Sequence, residues 1–311
     1  MKIVFMGTPD FASAIEAHLI ETGHTIVAVV TQPDRPAGRK KEPMPSPVKV
    51  EALKHGIPVL QPEKVRDPKA IEAIRAYEPD MIVVAAFGQI IPAELLEMPR
   101  YGCLNVHASL LPAYRGASPI QMAILDGCSE TGITIMKMDR GLDTGDIISQ
   151  VTVPITEETT GGELFDRLSE AGCRLLAETV DDIEAGRAFY TAQPKESPTP
   201  YASLIKKEDG RLNWQEEAVS LERRVRAMNP WPSAFTRVDG KLLKIWKAHV
   251  EKPELEGEPG LIVRQDRKGI YIQTGRGLLC LDEVQLEGRK RMSVSEFVRG
   301  YLIRNNRLDT K

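Results

Sequence analysis

The chain is poor in cysteine and in aromatic residues. Its four cysteines (Cys103, Cys128, Cys173, Cys280) are scattered and form no CxxC pair. That spacing argues against a disulfide framework and a structural zinc site, and reduced thiols fit the cytoplasm. No long apolar run is present: Met81 to Phe87 is the longest, far short of the roughly 20 residues that span a bilayer. The start, Met1 to Gly7, carries one lysine and breaks at Gly7 and Pro9, too short for a signal peptide. A cytoplasmic protein with no membrane contact is expected. There is no internal repeat, no GxSxG nucleophile pattern and no HExxH metal motif. What remains is an ordinary globular composition, 42% hydrophobic and 27% charged over 311 residues, long enough for two domains.

The net charge of −3 hides an asymmetry. Residues 1–203 carry 19 Lys and Arg against 28 Asp and Glu, whereas residues 204–311 carry 22 against 16. A basic second half suits an anionic partner such as nucleic acid or lipid, and ordinary scatter accounts for it equally well.

The first half alternates apolar runs with amphipathic stretches. Strands are expected at Ile3–Met6, Thr25–Val30, Ile57–Leu60, Met81–Phe87, Cys103–Val106 and Ile133–Met138. Helices are expected at Phe11–Ile20 with Asp10 as N-cap, and at Val48–Lys54, Pro68–Tyr77, Ile120–Leu125 and Glu163–Ile183. This is an α/β pattern: a Rossmann-like, mostly parallel sheet with helices on both faces. Around residue 190 it stops, and three prolines between Thr191 and Pro200 read as a linker. Beyond it, a helix near Glu216–Ala227 and five short strands between Ala234 and Leu286 suggest a small β-barrel, with the OB-fold as a candidate. The expected division is 1–189, a linker at 190–204, and 205–311.

Four segments bear on the chemistry, and three of them could carry it. The turn Gly7-Thr8-Pro9-Asp10-Phe11-Ala12 lacks the glycines of a dinucleotide fingerprint at its third and sixth positions, so Gly7 reads as a tight strand-to-helix turn. In Asn105-Val106-His107, the two polar residues are two apart, and in extended chain they leave on one side. A carboxamide beside an imidazole can hold a carbonyl oxygen as it becomes an oxyanion, and the imidazole can shuttle a proton. The glycine-rich turn Asp139 to Ile147 offers three acids. Asp139 and Asp146 suit turn-forming or capping work, while Asp143 between its glycines can be presented into a cleft. The segment Thr31–Pro47 is long for an α/β connection, and Arg35, Arg39, Lys40 and Lys41 face only Asp34 and Glu42 there. It reads either as a phosphate-gripping loop or as a solvated surface loop.

At these residues the sequence resembles a known family. Asn105, His107 and Ser109-Leu110-Leu111-Pro112, with Gly141-Leu142-Asp143-Thr144-Gly145, are similar to the folate-dependent formyltransferases. The turn from Gly7 to Ala12, Gln32 to Arg39, Pro45 to Lys49, and Asn229-Pro230-Trp231-Pro232 narrow the resemblance to the methionyl-tRNA formyltransferase family over nearly the whole chain. The resemblance implies transfer of the formyl group of 10-formyltetrahydrofolate, without a metal, to the amino group of initiator methionyl-tRNA. Asn105 and His107 would stabilise the oxyanion, with Asp143 assisting. Ser109, Leu110, Leu111 and Pro112 would line the folate site, and Arg35, Arg39, Lys40 and Lys41 would approach the tRNA. A monomer is expected. Two rival readings remain: the same chemistry on a small amine (glycinamide ribonucleotide or an amino-sugar nucleotide), and a tRNA-binding protein without catalysis. Asn229–Pro232 reads as an elbow between helix and barrel, and Trp214, Trp231 and Trp246 as core.

Overall fold

Continuous apolar runs need cover on both faces, and the first sheet provides it. The computed structural model describes residues 1–37, 42–251 and 257–308. In chain order the first part contains β1 (Lys2–Gly7), α1 (Asp10–Glu21), β2 (Thr25–Val30), β3 (Arg35–Ala37), β4 (Glu42–Met44), α2 (Pro47–Lys54), β5 (Val59–Leu60) and α3 (Pro68–Arg75). It continues with β6 (Met81–Ala85), α4 (Ala93–Leu96), β7 (Cys103–His107), α5 (Pro119–Leu125), β8 (Glu130–Lys137), β9 (Ile147–Pro154) and α6 (Gly161–Glu184). All five residues of β6 are buried, as are five of the six in β1. The sheet order is β5-β2-β1-β6-β7-β8-β9. β5, β2, β1, β6 and β7 pair in parallel, while β8 and β9 are antiparallel to their neighbours. β3 and β4 form a separate small hairpin.

Local chemistry sets the helix starts. Ser46 accepts from the Lys49 N–H at 3.1 Å ahead of α2, and Asp67 accepts from the Lys69 N–H at 2.9 Å ahead of α3. Each helix then opens on a proline, whose missing N–H costs nothing there. The expected cap of α1 is displaced by one residue. Asp10 is already helical and Pro9 is the N-cap, with no side-chain bond. Gly7 is the tight turn expected: a Cβ there would lie 2.5 Å from Ala12 Cβ and 2.9 Å from the Ala85 carbonyl.

The second part contains α7 (Ala218–Ala227), β10 (Ala234–Val238), β11 (Lys241–Glu251), β12 (Ile262–Asp266), β13 (Gly269–Gln273), β14 (Leu278–Leu286), β15 (Met292–Ser293) and α8 (Val294–Gly300). The strands are antiparallel in the order β10-β11-β14-β13-β12, with β15 beside β14. They send side chains into one core around Trp214, Leu243, Ile245, Ile272, Leu281 and Phe297, the small barrel-like arrangement expected. α8 begins with a capping box between Ser293 and Glu296. Asn229–Pro232 turns the chain from α7 into β10, but Trp231 is 59% exposed and belongs to no core. Trp214 is fully buried and Trp246 half-buried.

The chain divides into two compact units, and neither is one continuous stretch. The second unit takes in residues 120–129 and 155–164 as well as everything from Ser203 onward. The first unit runs to Ala202, so the proline-rich stretch expected as a linker is part of it. Its backbone is hydrogen-bonded there. Thr191 and Ile147 exchange two bonds of 2.8 Å, and the Ala202 N–H donates to the Arg115 carbonyl at 2.8 Å. Among the described residues, no helix is long and apolar enough to cross a membrane.

Candidate active site

The site is built where the sheet changes from parallel to antiparallel. β7 pairs in parallel with β6 and antiparallel with β8. Asn105 and His107 lie two apart on β7 and leave the same face, as the spacing predicts. The chain after β8 supplies Asp143, though not directly. Because β8 is antiparallel, its end pairs Lys137 with Leu104, away from His107. The turn must double back to bring Asp143 level with the two β7 side chains.

That turn is fixed in several places. Asp139 accepts from the Gly141 N–H at 2.9 Å and from the Thr144 hydroxyl at 2.7 Å, the turn-forming work expected of it. Gly145 packs so closely that a Cβ would lie 1.8 Å from the Lys137 carbonyl oxygen. Asp143 itself has φ +55°, a left-handed conformation that costs a non-glycine residue about 1–2 kcal/mol. This backbone turns its carboxylate toward β7.

The three side chains converge. Asn105 Nδ2 donates to Asp143 Oδ1 at 3.4 Å. His107 Nδ1 lies 3.8 Å from Asp143 Oδ2. The same oxygen accepts the Gly116 N–H at 2.8 Å. His107 is 6% exposed, and its Nε2 lies 3.0 Å from the Tyr114 carbonyl. A carbonyl can only accept, so Nε2 carries its hydrogen there, and Nδ1 is the nitrogen left for other partners. The arrangement can place a carboxamide N–H and an imidazole nitrogen around one developing negative charge, with a fixed carboxylate behind them.

The expected folate-lining run follows directly. Ser109 is fully buried, and its hydroxyl donates to the Ala113 carbonyl at 2.6 Å. Leu111 is 3% exposed, so both side chains face inward, while Leu110 and Pro112 are half-buried. The Thr134 hydroxyl holds this loop from below. It donates to the Ser109 carbonyl at 2.7 Å and accepts from the Leu111 N–H at 3.0 Å and from Gln150 Nε2 at 2.8 Å. The Leu111–Pro112 peptide is cis. Of the basic loop, Arg35 is exposed on β3, and Arg39, Lys40 and Lys41 lie outside the described residues.

Gln193, Arg115, the Gly116 N–H and the Tyr114 carbonyl belong to the same neighbourhood, and none was singled out in the sequence. Gln193 sits in the proline-rich stretch read as a linker, and its contacts span 50 residues in sequence to Asp143. Elsewhere, among the described residues, His249, Cys280 and Asp282 have ligand atoms within 4.8 Å of one another. Asp282 Oδ2 already lies 2.9 Å from His249 Nδ1 and Glu251 lies 3.4 Å from Nε2. Burial pushes the Cys280 thiol up to about 11, so this group reads as an ion-pair cluster beside a neutral thiol.

With the geometry in place, comparison with known proteins is informative. Residues 1–180 match the formyl transferase family, and residues 204–302 match the formyl transferase C-terminal domain. The methionyl-tRNA formyltransferase of Lachnospira eligens is 52% identical over 305 residues, 96% of each chain. That of Geobacter sulfurreducens is 48% identical over 301 residues, 97% of this chain and 94% of its own. Among solved structures, HypX from Aquifex aeolicus in complex with tetrahydrofolic acid superposes with TM-score 0.64 at 20% identity. The match covers 99% of this chain and 48% of HypX, so the chain spans about half that protein. The sugar 3N-formyl transferase WlaRD gives TM-score 0.64 at 19% identity, covering 93% of this chain and 99% of its own. These two likenesses concern the fold.

Proposed function

The chain belongs to the formyl transferase family, and from that premise we propose that it carries the formyl group of 10-formyltetrahydrofolate to the α-amino group of methionine on initiator tRNA. The observation that carries this reading is the convergence of Asn105, His107 and Asp143 within 3.4 to 3.8 Å. Relatives of about half-identical sequence over the full length, all named methionyl-tRNA formyltransferase, favour a charged tRNA over a small amine as acceptor.

The chemistry follows from the atoms. The lone pair of the methionine amine attacks the formyl carbon. The carbonyl π electrons move to oxygen, giving a tetrahedral intermediate with a negative oxygen and a positive nitrogen. Asn105 Nδ2–H and, when protonated, His107 Nδ1–H donate to that oxygen. The Asp143 carboxylate draws off the proton that the amine must lose. The intermediate then collapses, the bond to N10 of the folate breaks, and N10 takes a proton. The products are formylmethionyl-tRNA and tetrahydrofolate, with no metal and no covalent enzyme intermediate.

Ser109–Pro112 shape the folate side of the site through their backbone, with Leu110 and Pro112 offering the accessible apolar surface. Arg35, Arg39, Lys40 and Lys41, together with the basic second half, meet the phosphates of the tRNA. The protein works in the cytoplasm as a monomer. Formyl transfer measured side by side to charged initiator tRNA, glycinamide ribonucleotide and an amino-sugar nucleotide tests the reading. Turnover confined to the tRNA is expected. Preference for either small amine, or no transfer at all, would overturn it.

A further inference from the structure

We infer that Gln193 and Arg115 are positioning residues that hold Asp143 in its reactive place, an inference that rests on the function proposed above. The carboxamide of Gln193 is used at both ends. Its Nε2 donates to the Asp143 carbonyl at 3.1 Å and to the Gly145 carbonyl at 2.7 Å, spanning the turn that presents the Asp143 side chain. Its Oε1 accepts from Arg115 Nε at 3.2 Å and Nη2 at 2.9 Å. Two carbonyls need the NH2 end and a guanidinium needs the oxygen end, so the amide has only one orientation.

Arg115 is 2% exposed. Its remaining bonds run to the Lys195 carbonyl at 3.0 Å and the Pro194 carbonyl at 2.8 Å. These partners are all neutral oxygens. A guanidinium taken out of water without a carboxylate is an expensive group to keep for packing alone. Its fork instead immobilises residues 193–195 from one side, and Gln193 transmits that rigidity to the Asp143 turn.

The same stretch of chain reaches Asp143 a second time. Gly116, the residue after Arg115, donates its N–H to Asp143 Oδ2 at 2.8 Å. The backbone of Asp143 is therefore held by Gln193, which Arg115 fixes, and its side chain by the residue that follows Arg115. A left-handed aspartate persists only where its surroundings over-determine it, and Gln193 supplies two of the restraints. Close packing of Gly145 against the Lys137 carbonyl fixes the far end of the turn, and the Gln193 bond to the Gly145 carbonyl ties that end to Asp143.

The test is a double-mutant cycle on the full chain. Gln193→Ala and Asp143→Ala are made singly and together, with Gln193→Glu and Arg115→Lys as further variants. In formyl transfer to charged initiator tRNA, Gln193→Ala should lower kcat by at least roughly tenfold, leave KM for both substrates within about twofold, and shift the pH profile of kcat. With Asp143 already alanine, the second substitution should cost less than about twofold, because Gln193 acts through Asp143. Gln193→Glu keeps the acceptor for Arg115 but cannot donate to the Asp143 and Gly145 carbonyls, so it should lose at least as much kcat as Gln193→Ala, whereas Arg115→Lys should fall between wild type and Gln193→Ala. A second readout needs no substrate. The amide resonance of Gly116 in the free protein should move upfield and exchange faster in Gln193→Ala, while melting temperature stays near wild type. Additive losses, a wild-type kcat in Gln193→Ala, or an unchanged Gly116 amide would each overturn the inference. If the wild-type protein transfers no formyl group to tRNA, the functional reading fails, and the Gly116 amide still decides whether Gln193 positions Asp143.

Discussion

Glu16 is a carboxylate in the wrong place for a charge, and replacing it should change how stability depends on pH. It lies on the buried face of α1 with Phe11, Ala12, Ile15 and Leu19, fully out of solvent. Neither carboxylate oxygen has a hydrogen-bond partner. Burial, with a smaller push from Glu51 and an opposing pull from Lys54, raises its pKa from 4.5 to about 8. The folded protein therefore keeps Glu16 protonated at neutral pH, while the unfolded chain ionises it. A raised folded pKa means stability that is fully present below 4.5 and is lost as pH rises toward 8. At ~1.4 kcal/mol per pH unit, the loss between pH 5 and 8 is roughly 3–4 kcal/mol. For a unit of this size that is on the order of 10 °C in melting temperature. Glu16→Gln and Glu16→Met cannot ionise, so each should melt progressively higher than wild type as pH rises across that window. A constant offset from repacking shifts the whole difference curve but not its slope. Thermal melts by circular dichroism at half-unit pH steps read the slope. A difference flat from pH 5 to 8, or one widening toward acid, would refute the reasoning.

Three further outcomes are expected. Asn105→Ala should lower kcat by about a hundredfold or more at unchanged fold, the usual worth of one oxyanion donor being ~3–4 kcal/mol; single-turnover kinetics with chemistry rate-limiting checks it. Gly145→Ala places a methyl group on the Lys137 carbonyl and must displace the Asp143 turn, so kcat should fall by more than about tenfold, with a lower melting temperature in the same preparation. Binding of charged tRNA should weaken by at least roughly tenfold between low and physiological salt, measured by filter binding, and neutralising Arg39, Lys40 and Lys41 together should flatten that slope.

Much of the fold was legible because its signals are local. β2, β10 and β14 match the strands expected at Thr25–Val30, Ala234–Val238 and Leu278–Leu286 end to end: β2 is a nearly continuous apolar run, and β10 and β14 are short mixed stretches bounded by glycine-bearing turns. β9 went unseen: most of its side chains are half-buried or exposed, so neither alternation nor a continuous apolar run marks it. α8, only seven residues long, also escaped notice, although its Ser293 and Glu296 are a readable start signal. In the site, the spacing of Asn105 and His107 states their shared face, and the glycines around Asp143 state a turn. Nothing local tells that β8 is antiparallel, that the turn doubles back, or that Gln193 reaches it across 50 residues. Proline content made that stretch look like a spacer, and only its hydrogen bonds show otherwise. Glu16 was readable in principle: Ala12, Ile15, Glu16 and Leu19 follow the three- and four-residue spacing of a buried helix face, with an acid in the stripe.

In the proposed mechanism, Asn105, His107 and Asp143 surround one reacting carbonyl. A crystal structure of the protein with a stable 10-formyltetrahydrofolate analogue tests it most directly. The formyl oxygen should lie within about 3 Å of both Asn105 Nδ2 and His107 Nδ1, with the Asp143 carboxylate on the side from which the amine arrives. An analogue bound with that oxygen in solvent, or in a cleft these three residues do not line, would contradict the account.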